Sequence, residues 1–571
     1  MRRSRWILLF AALVLALIAI WLWWVRPKKV DMAAYAPADS LIYLEANRPL
    51  EVFEAIAGTD GWKALEKGMG TAPSATRDHW LQSFLGWTGL GPAQSVILAR
   101  AQIAVVVTGL GTTEAGDTLK VKSEGAILIE THTGESRIRP PFEKALKALA
   151  EKTYHHSTAR RNTIDGVEFI EWIAPEGSRQ IVGTVAGSLL IIGTSEHVVQ
   201  SCLAVAQGRR PALKDDPELN QMREQLQSNS ALSFGYVPAG NSARLLAVGI
   251  PVLLGRAPGD SEFQRLITNG AAKVFGSVAW SSRGYRTGIE DRYLINLQPA
   301  VVARLKPHFS ATSIPSQIQQ LVPSDVYSVT AYRFADPSAA WQSLKTAISS
   351  QVDALSTIVF SSLLKSALLS YGIDDPETFL RAVNGELLTL RFDENAERSI
   401  LIAGVRDRAS LRSLISRKML VSPRSSGEQN AESFEDAAGD FAARLTDEFV
   451  VVGAPADVRR YAETRGAGSA VLSAEKYKQM TSFASASSKA NVVTCTNDES
   501  RVRDFFAAIT AAKGARMPTS SGVDEAVSQL PYSITETTLG DRGLERTTRS
   551  PLGQFSTLLP LLIPEQPAVT K

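Results

Sequence analysis

Ser188–Gln200, SLLIIGTSEHVVQ, and Glu448–Arg460, EFVVVGAPADVRR, decide how this chain reads. Each opens with a run of aliphatic side chains, turns at a glycine (Gly193, Gly453) and passes into a stretch with helical character. Each is an apolar strand followed by a glycine turn and a helix start. The same strand–glycine–helix unit occurring twice, far apart in one chain, points to an internal repeat.

Working outward, the order of elements keeps step on both sides. Pro37-Ala38-Asp39 precedes the strand LIYLEA, and Pro323-Ser324-Asp325 precedes VYSVTA; a Pro-started helix follows each, from Pro49 and from Pro337. The turn at Gly91-Pro92 corresponds to Asp375-Pro376, and the strands IAVVV (from Ile103) and ELLTL (from Glu386) come next. AILIE (from Ala126) and ILIAG (from Ile400) lead into helices through Phe142 and Leu146 and through Leu411 and Leu414. LKDDPELNQM matches LSAEKYKQM, ALSFGY matches NVVTCT, and helices through Leu245 and through Phe505 follow. Each copy closes in a hairpin, GSVAWSSRGYRTGIE from Gly276 and YSITETTLGDRGLER from Tyr532.

Strands joined by tight turns as well as by helices, as at Asp117 and at Asp393-Glu394-Asn395, predict an α+β protein with largely antiparallel sheets packed with helices. The repeat predicts two tandem duplicated domains, 35–305 and 318–550. They are joined by a linker at 306–317 and followed by a Pro/Leu-rich tail at 551–571.

Residues 6–25, WILLFAALVLALIAIWLWWV, carry no charged or strongly polar side chain. About 20 apolar residues at helical rise match the hydrocarbon thickness of a bilayer, and Trp suits its boundary. The stretch is therefore expected to be one transmembrane helix in contact with lipid through Trp6, Phe10, Leu15, Trp21, Trp23 and Trp24, between a basic tail (1–5) and a linker (26–34). Arg2, Arg3 and Arg5 would also suit a cleaved signal, but the run is long for one and ends in Trp-Trp and basic residues rather than at a small-residue site. Arg26, Lys28 and Lys29 balance the basic residues before the run, so charge does not set orientation. The short tail favours a cytoplasmic N-terminus, with the body in the periplasm or outside the cell.

The anchor, the Pro-x-Asp strand openings at Pro37 and Pro323 and the units around Gly193 and Gly453 resemble a bacterial family of membrane-tethered envelope proteins catalogued as a domain of unknown function. The resemblance covers most of 35–550. It implies an extracytoplasmic location and supplies no catalytic residues.

The chain has 571 residues, and its 61 basic side chains nearly balance 58 acidic ones, for a net charge of +3. Nothing resembles a nucleic-acid footprint. Two cysteines, Cys202 and Cys495, exclude a disulfide framework and a Cys-rich zinc site; they read as separate buried thiols, with one long-range bridge as the alternative.

Candidate chemistry is thin. His155-His156 sits in the loop-like TYHHSTARR and reads as solvated rather than metal-ligating, because adjacent side chains diverge. Asp374, Asp375 and Glu377 read as a helix start capped by Asp375, and Asp215-Asp216 before Pro217 reads likewise. Gly109, Gly111 and Gly116 lack the Lys-Ser/Thr of a phosphate loop, and Gly193 to His197 does not complete a Gly-x-Ser-x-Gly elbow.

Leu355–Leu369 is apolar almost all round and reads as a helix buried on several sides or lining a greasy cavity. Leu245–Leu254 and Leu558–Ile563 are too short, and interrupted or bounded by Pro, to span a bilayer; all three read as ordinary core, except that the Leu-rich C-terminal stretch needs a partner. No cofactor, metal or catalytic set is expected. The function expected is binding or scaffolding in the envelope, through a protein partner. The alternatives are a carrier or sensor of a hydrophobic ligand such as lipid, and an enzyme with an unrecognised site.

Overall fold

The computed structural model describes residues 29–47, 49–68, 97, 100–115, 118–154, 156–245, 268–286, 288–309, 322–323, 326–350, 365–366, 368–394, 399–421, 431–466, 490–512 and 521–556. The expected anchor 6–25 lies outside them. Among the described residues no helix is long and apolar enough to cross a membrane.

Residues 29–309 contribute ten strands: β1 (Ile42–Asn47), β2 (Gln102–Ala115), β3 (Thr118–Glu130), β4 (Thr158–Ile164), β5 (Val167–Ile173), β6 (Gln180–Ala186), β7 (Leu189–Gly193), β8 (Ser233–Val237), β9 (Phe275–Tyr285) and β10 (Gly288–Leu297). Antiparallel pairing arranges them as β4-β5-β6-β7-β3-β2-β1-β8-β9-β10.

Residues 326–550 contribute ten more: β11 (Ser328–Arg333), β12 (Val383–Arg391), β13 (Ile400–Val405), β14 (Met419–Val421), β15 (Glu432–Asp436), β16 (Ala442–Leu445), β17 (Phe449–Gly453), β18 (Val492–Thr496), β19 (Ser533–Leu539) and β20 (Gly543–Ser550). Their order, β14-β15-β16-β17-β13-β12-β11-β18-β19-β20, repeats that of the first half strand for strand.

The expectation of two tandem domains with separate sheets is overturned. β10 pairs antiparallel with β20, from Ile289↔Ser550 to Asn296↔Gly543, so one 20-stranded sheet runs through both halves. Each of these strands closes its own set of ten and would otherwise leave a row of unpaired N–H and C=O groups at an edge; pairing with the other removes both edges. At this seam Gly543 takes φ +144°, and a Cβ there would collide with the Ile295 carbonyl.

The helices extend the same interlocking. On one face, Glu196–Ala206 and Pro217–Gln225 cover a core containing Leu128, Phe169, Ile191 and Phe234, while Val458 and Tyr461 of Pro455–Gly466 join the corresponding core of the second half. On the other face, Phe142 and Leu146 of Glu135–Tyr154 pack on Ile170 and Val185, and Pro376–Ala382 and Arg408–Ser416 cover Leu401 and Val450. Two further cores belong to neither half alone. Phe53, Ile56 and Trp62 from the first half meet Phe505, Phe506 and Val527 from the second; Val301 and Leu305 meet Ala347 and Ile348.

β7 and β17 are buried along nearly their whole length, as continuous apolar runs require when both sheet faces are covered. The loop-like reading of TYHHSTARR needs correction from Thr158 onward. Thr158–Ile164 is strand β4, the outer edge of the sheet, exposed at six of seven positions and so without any apolar alternation to reveal it. Arg160 and Arg161 on this strand are the kind of charged side chain that discourages further pairing at an edge.

The segment Lys29–Ala36 straps across the ends of β1, β2 and β3. Gln102 exchanges two hydrogen bonds with Val30, accepting from its N–H at 2.7 Å and donating to its carbonyl at 2.9 Å. Asp31 pairs with Arg223 at 2.9 Å, and the Tyr35 hydroxyl donates to buried Glu130 at 3.1 Å. Arg223 also holds Glu45 at 3.0 Å and lies over the Tyr43 and Phe234 rings.

Candidate functional site at the seam

On one face the middle of the sheet carries polar chemistry, while its other face packs the cores shared by the two halves. In an antiparallel sheet, residues paired directly across strands share a face. The registers Arg283↔Glu290 and Glu290↔Arg549 therefore put Arg283 (β9), Glu290 (β10) and Arg549 (β20) in one row crossing the seam. Arg283 donates to Glu290 Oε1 at 2.8 Å through Nε, and Arg549 donates to Oε2 at 2.8 Å; Arg549 also reaches Glu536 on β19 at 3.2 Å.

Glu290 is 2% exposed. Burial works against its ionisation, but the hydrogen bonds from Arg549 and Arg283 outweigh it and hold the carboxyl below its ordinary range. The Arg549 guanidinium lies 5.1 Å from the centre of the Tyr285 ring, so its planar group is engaged on an aromatic face as well as at its edges. One step along the same face, Arg292 pairs across the seam with Thr547 and is partly exposed.

Farther along the seam, where Leu294 pairs with Glu545 and Asn296 with Gly543, lies a cavity of about 200 Å³ lined by Gln225, Leu294, Asn296, Arg542 and Glu545, among others. Asn296 is set by its donation to Glu218 at 3.0 Å and to Ser277 at 3.1 Å; Ser277 in turn donates to Glu218 at 2.5 Å. The cavity is smaller than the roughly 300–1,000 Å³ of most ligand pockets, and its lining is polar. The arrangement can receive charged and hydrogen-bonding groups from a partner.

The residues singled out in the sequence do not converge here. Trp6, Phe10, Leu15, Trp21, Trp23, Trp24 and His155 lie outside the described residues, as do 246–254 and 558–563 and most of 355–369. His156 is exposed. Asp375 caps its helix by accepting from the Thr378 N–H at 3.1 Å, Glu377 pairs with Lys345, and Asp374 pairs with Lys418. Asp216 caps Pro217–Gln225, and its other oxygen accepts from Tyr236. Ser195 caps the helix after Gly193.

Cys202 and Cys495 are free and buried in different cores, and burial pushes both thiols up to about 12. Among the described residues no group of three or more His, Cys, Asp or Glu side chains is placed to hold a metal ion.

The seam residues escaped sequence reasoning because Arg283, Glu290, Glu536 and Arg549 stand in two hairpins far apart in the chain. Both hairpins carry further charges, Arg286, Asp291 and Arg292 in one and Asp541, Arg542, Glu545 and Arg546 in the other, so charge alone does not single these four out.

Fold and site together define an α+β protein built on one continuous antiparallel sheet with a charged seam. No protein-family model matches the chain, and no match is found among curated proteins or solved structures. The resemblance to a membrane-tethered envelope family rests on the sequence motifs alone.

Proposed function

We propose that this protein is a non-catalytic binding or scaffolding component of the bacterial cell envelope, with its body outside the cytosol. The apolar composition of residues 6–25 supports membrane attachment, and the motif resemblance supports the compartment. The observation that carries the scaffold reading is the seam. Two ten-strand sets joined by β10–β20 and by cores drawn from both halves make a wide, stiff platform rather than two lobes that open around a substrate. Its charged row offers complementarity to a polar protein surface, which gives orientation and specificity.

Cross-linking in native membranes followed by purification of the full chain tests the reading. A stoichiometric protein partner should be recovered with wild type and with Lys273→Glu, an exposed position away from the seam row, and reduced at least tenfold with Arg292→Glu. Recovery of stoichiometric lipid instead, with no protein partner, would favour the carrier of a hydrophobic ligand and overturn the proposal.

A further inference from the structure

The end of the second half is tied down onto the first through a buried carboxylate. After β20 the chain turns at Pro551–Ser556, where Gly553 takes φ +62° and a side chain would also strike Ile289 and Asp291. Leu552 and Phe555 enter the core shared with Phe53 and Trp62. The Gln554 N–H donates to Asp291 Oδ2 at 2.8 Å, and the Gln554 side chain donates to Ser282 Oγ at 2.5 Å and more distantly to Ser233 Oγ. Ser282, fully buried, hydrogen-bonds Asp291 Oδ1. Asp291 is itself 2% exposed and has no cation among its hydrogen-bond partners.

We propose that Pro551–Ser556 is an acid-tightened clamp, in which proton uptake by Asp291 strengthens the docking of this turn on β9 and β10.

The geometry accommodates the proton without losing the clamp. A protonated Oδ1 donates to Ser282 Oγ, whose own hydrogen then gives up Asp291 as acceptor; Ser282 Oγ still accepts from Gln554, and Oδ2 keeps the Gln554 N–H. Burial is the leading influence on Asp291 and lifts its carboxyl from an ordinary 3.8 to about 6; the Ser282 and Gln554 hydrogen bonds oppose the rise, and Glu290 adds to it.

Of the other groups on this side, Tyr293 is pushed up to about 12, by burial first and then by Asp291. Arg546 of β20 stacks over the Tyr293 ring, and Arg501 of helix Glu499–Ala512 acts on Tyr293. That helix also carries Glu499, Arg503 and Asp504. The remaining helices packed here carry Glu51 and Glu54, Asp60 and Lys63, and Asp524 and Glu525, all on exposed positions.

Undocking would return Asp291 to water and to its ordinary range, so the docked turn binds the proton more tightly. Docking is therefore strongest well below pH 6 and weakens as pH rises through 6. Between pH 7 and pH 5 the opening equilibrium should fall about tenfold.

Hydrogen exchange on the full chain, corrected for intrinsic rates, tests this at the amides of Gly553, Gln554 and Phe555, with β15–β16 amides as the internal reference. Protection should rise about tenfold from pH 7 to pH 5 in wild type and stay level in Asp291→Asn, which mimics the protonated state. Equal pH dependence in wild type and Asp291→Asn, or none in wild type, overturns the clamp. If Asp291→Asn does not fold, Ser282→Ala serves. Loss of the hydroxyl that favours the ionised form should move the midpoint of the protection profile upward, and an unmoved midpoint overturns the proposal.

Discussion

The two halves repeat one strand order but finish their central strands with different chemistry. In the first half, Glu45, Gln102 and Glu130 line the ends of β1, β2 and β3, and the strap Lys29–Ala36 docks on them with help from Arg223. Matched from Pro37 onto Pro323, Glu45 falls on Ala331 and Asn47 on Arg333, and the cross-strand pairs Asn47↔Gln102 and Arg333↔Glu386 then set Gln102 against Glu386. There the second half instead buries Arg333, paired across strands with Glu386 and donating to the Ala490 carbonyl at 3.1 Å. Apolar alternation is what the halves must share to make the same sheet. Polar residues at strand ends are free to diverge, and they decide which further segment the sheet can hold.

The comparison breaks most decisively at the shared core. Phe505→Ala empties a site between the halves and should cost about 4 kcal/mol. Denaturant unfolding followed by exchange at β10 and at β13 should show both halves losing protection together; two separate transitions would mean that the halves are independent after all.

Arg333→Ala should cost about 3 kcal/mol, because a buried cation is lost and Glu386, whose carboxyl burial already raises, loses the charge that offsets that rise. Loss of protection should be largest in β11, β12 and β18, the strands around Arg333.

Gln102→Ala should cost about 1–2 kcal/mol by leaving the Val30 backbone groups without their partner. Its marker is faster proteolysis near Val30 without change in the second half.

The smallest effect is at a cap. Asp375→Ala should cost about 1 kcal/mol. The Thr378 side chain and N–H hold the Asp375 carboxyl below its ordinary range, so this contribution is present above about pH 4 and is lost as pH falls further. The gap in melting temperature between variant and wild type should close in acid.

Much of the local structure was legible. LIYLEA, AILIE, SLLIIG and EFVVVG became β1, β3, β7 and β17 because their apolar density admits only a buried strand, and Asp216 and Asp375 announced helix starts through Pro at the next position. β4 was not legible, since an exposed edge strand selects charge rather than alternation. The polar site was not legible either: Glu290 is one acid in a hairpin until Arg549, reached only through folding, comes to lie beside it.

Apolar periodicity, turn residues and caps act over a few neighbours, so the chain determined its own strands, their hairpins and the repeated order of elements. Whether those repeats stand apart or share a sheet depends on two unsatisfied edges meeting. That choice, with the charged seam and the clamp at Asp291 that follow from it, was made only when β10 and β20 came together, because backbone hydrogen bonding between distant strands leaves no local imprint on side-chain pattern.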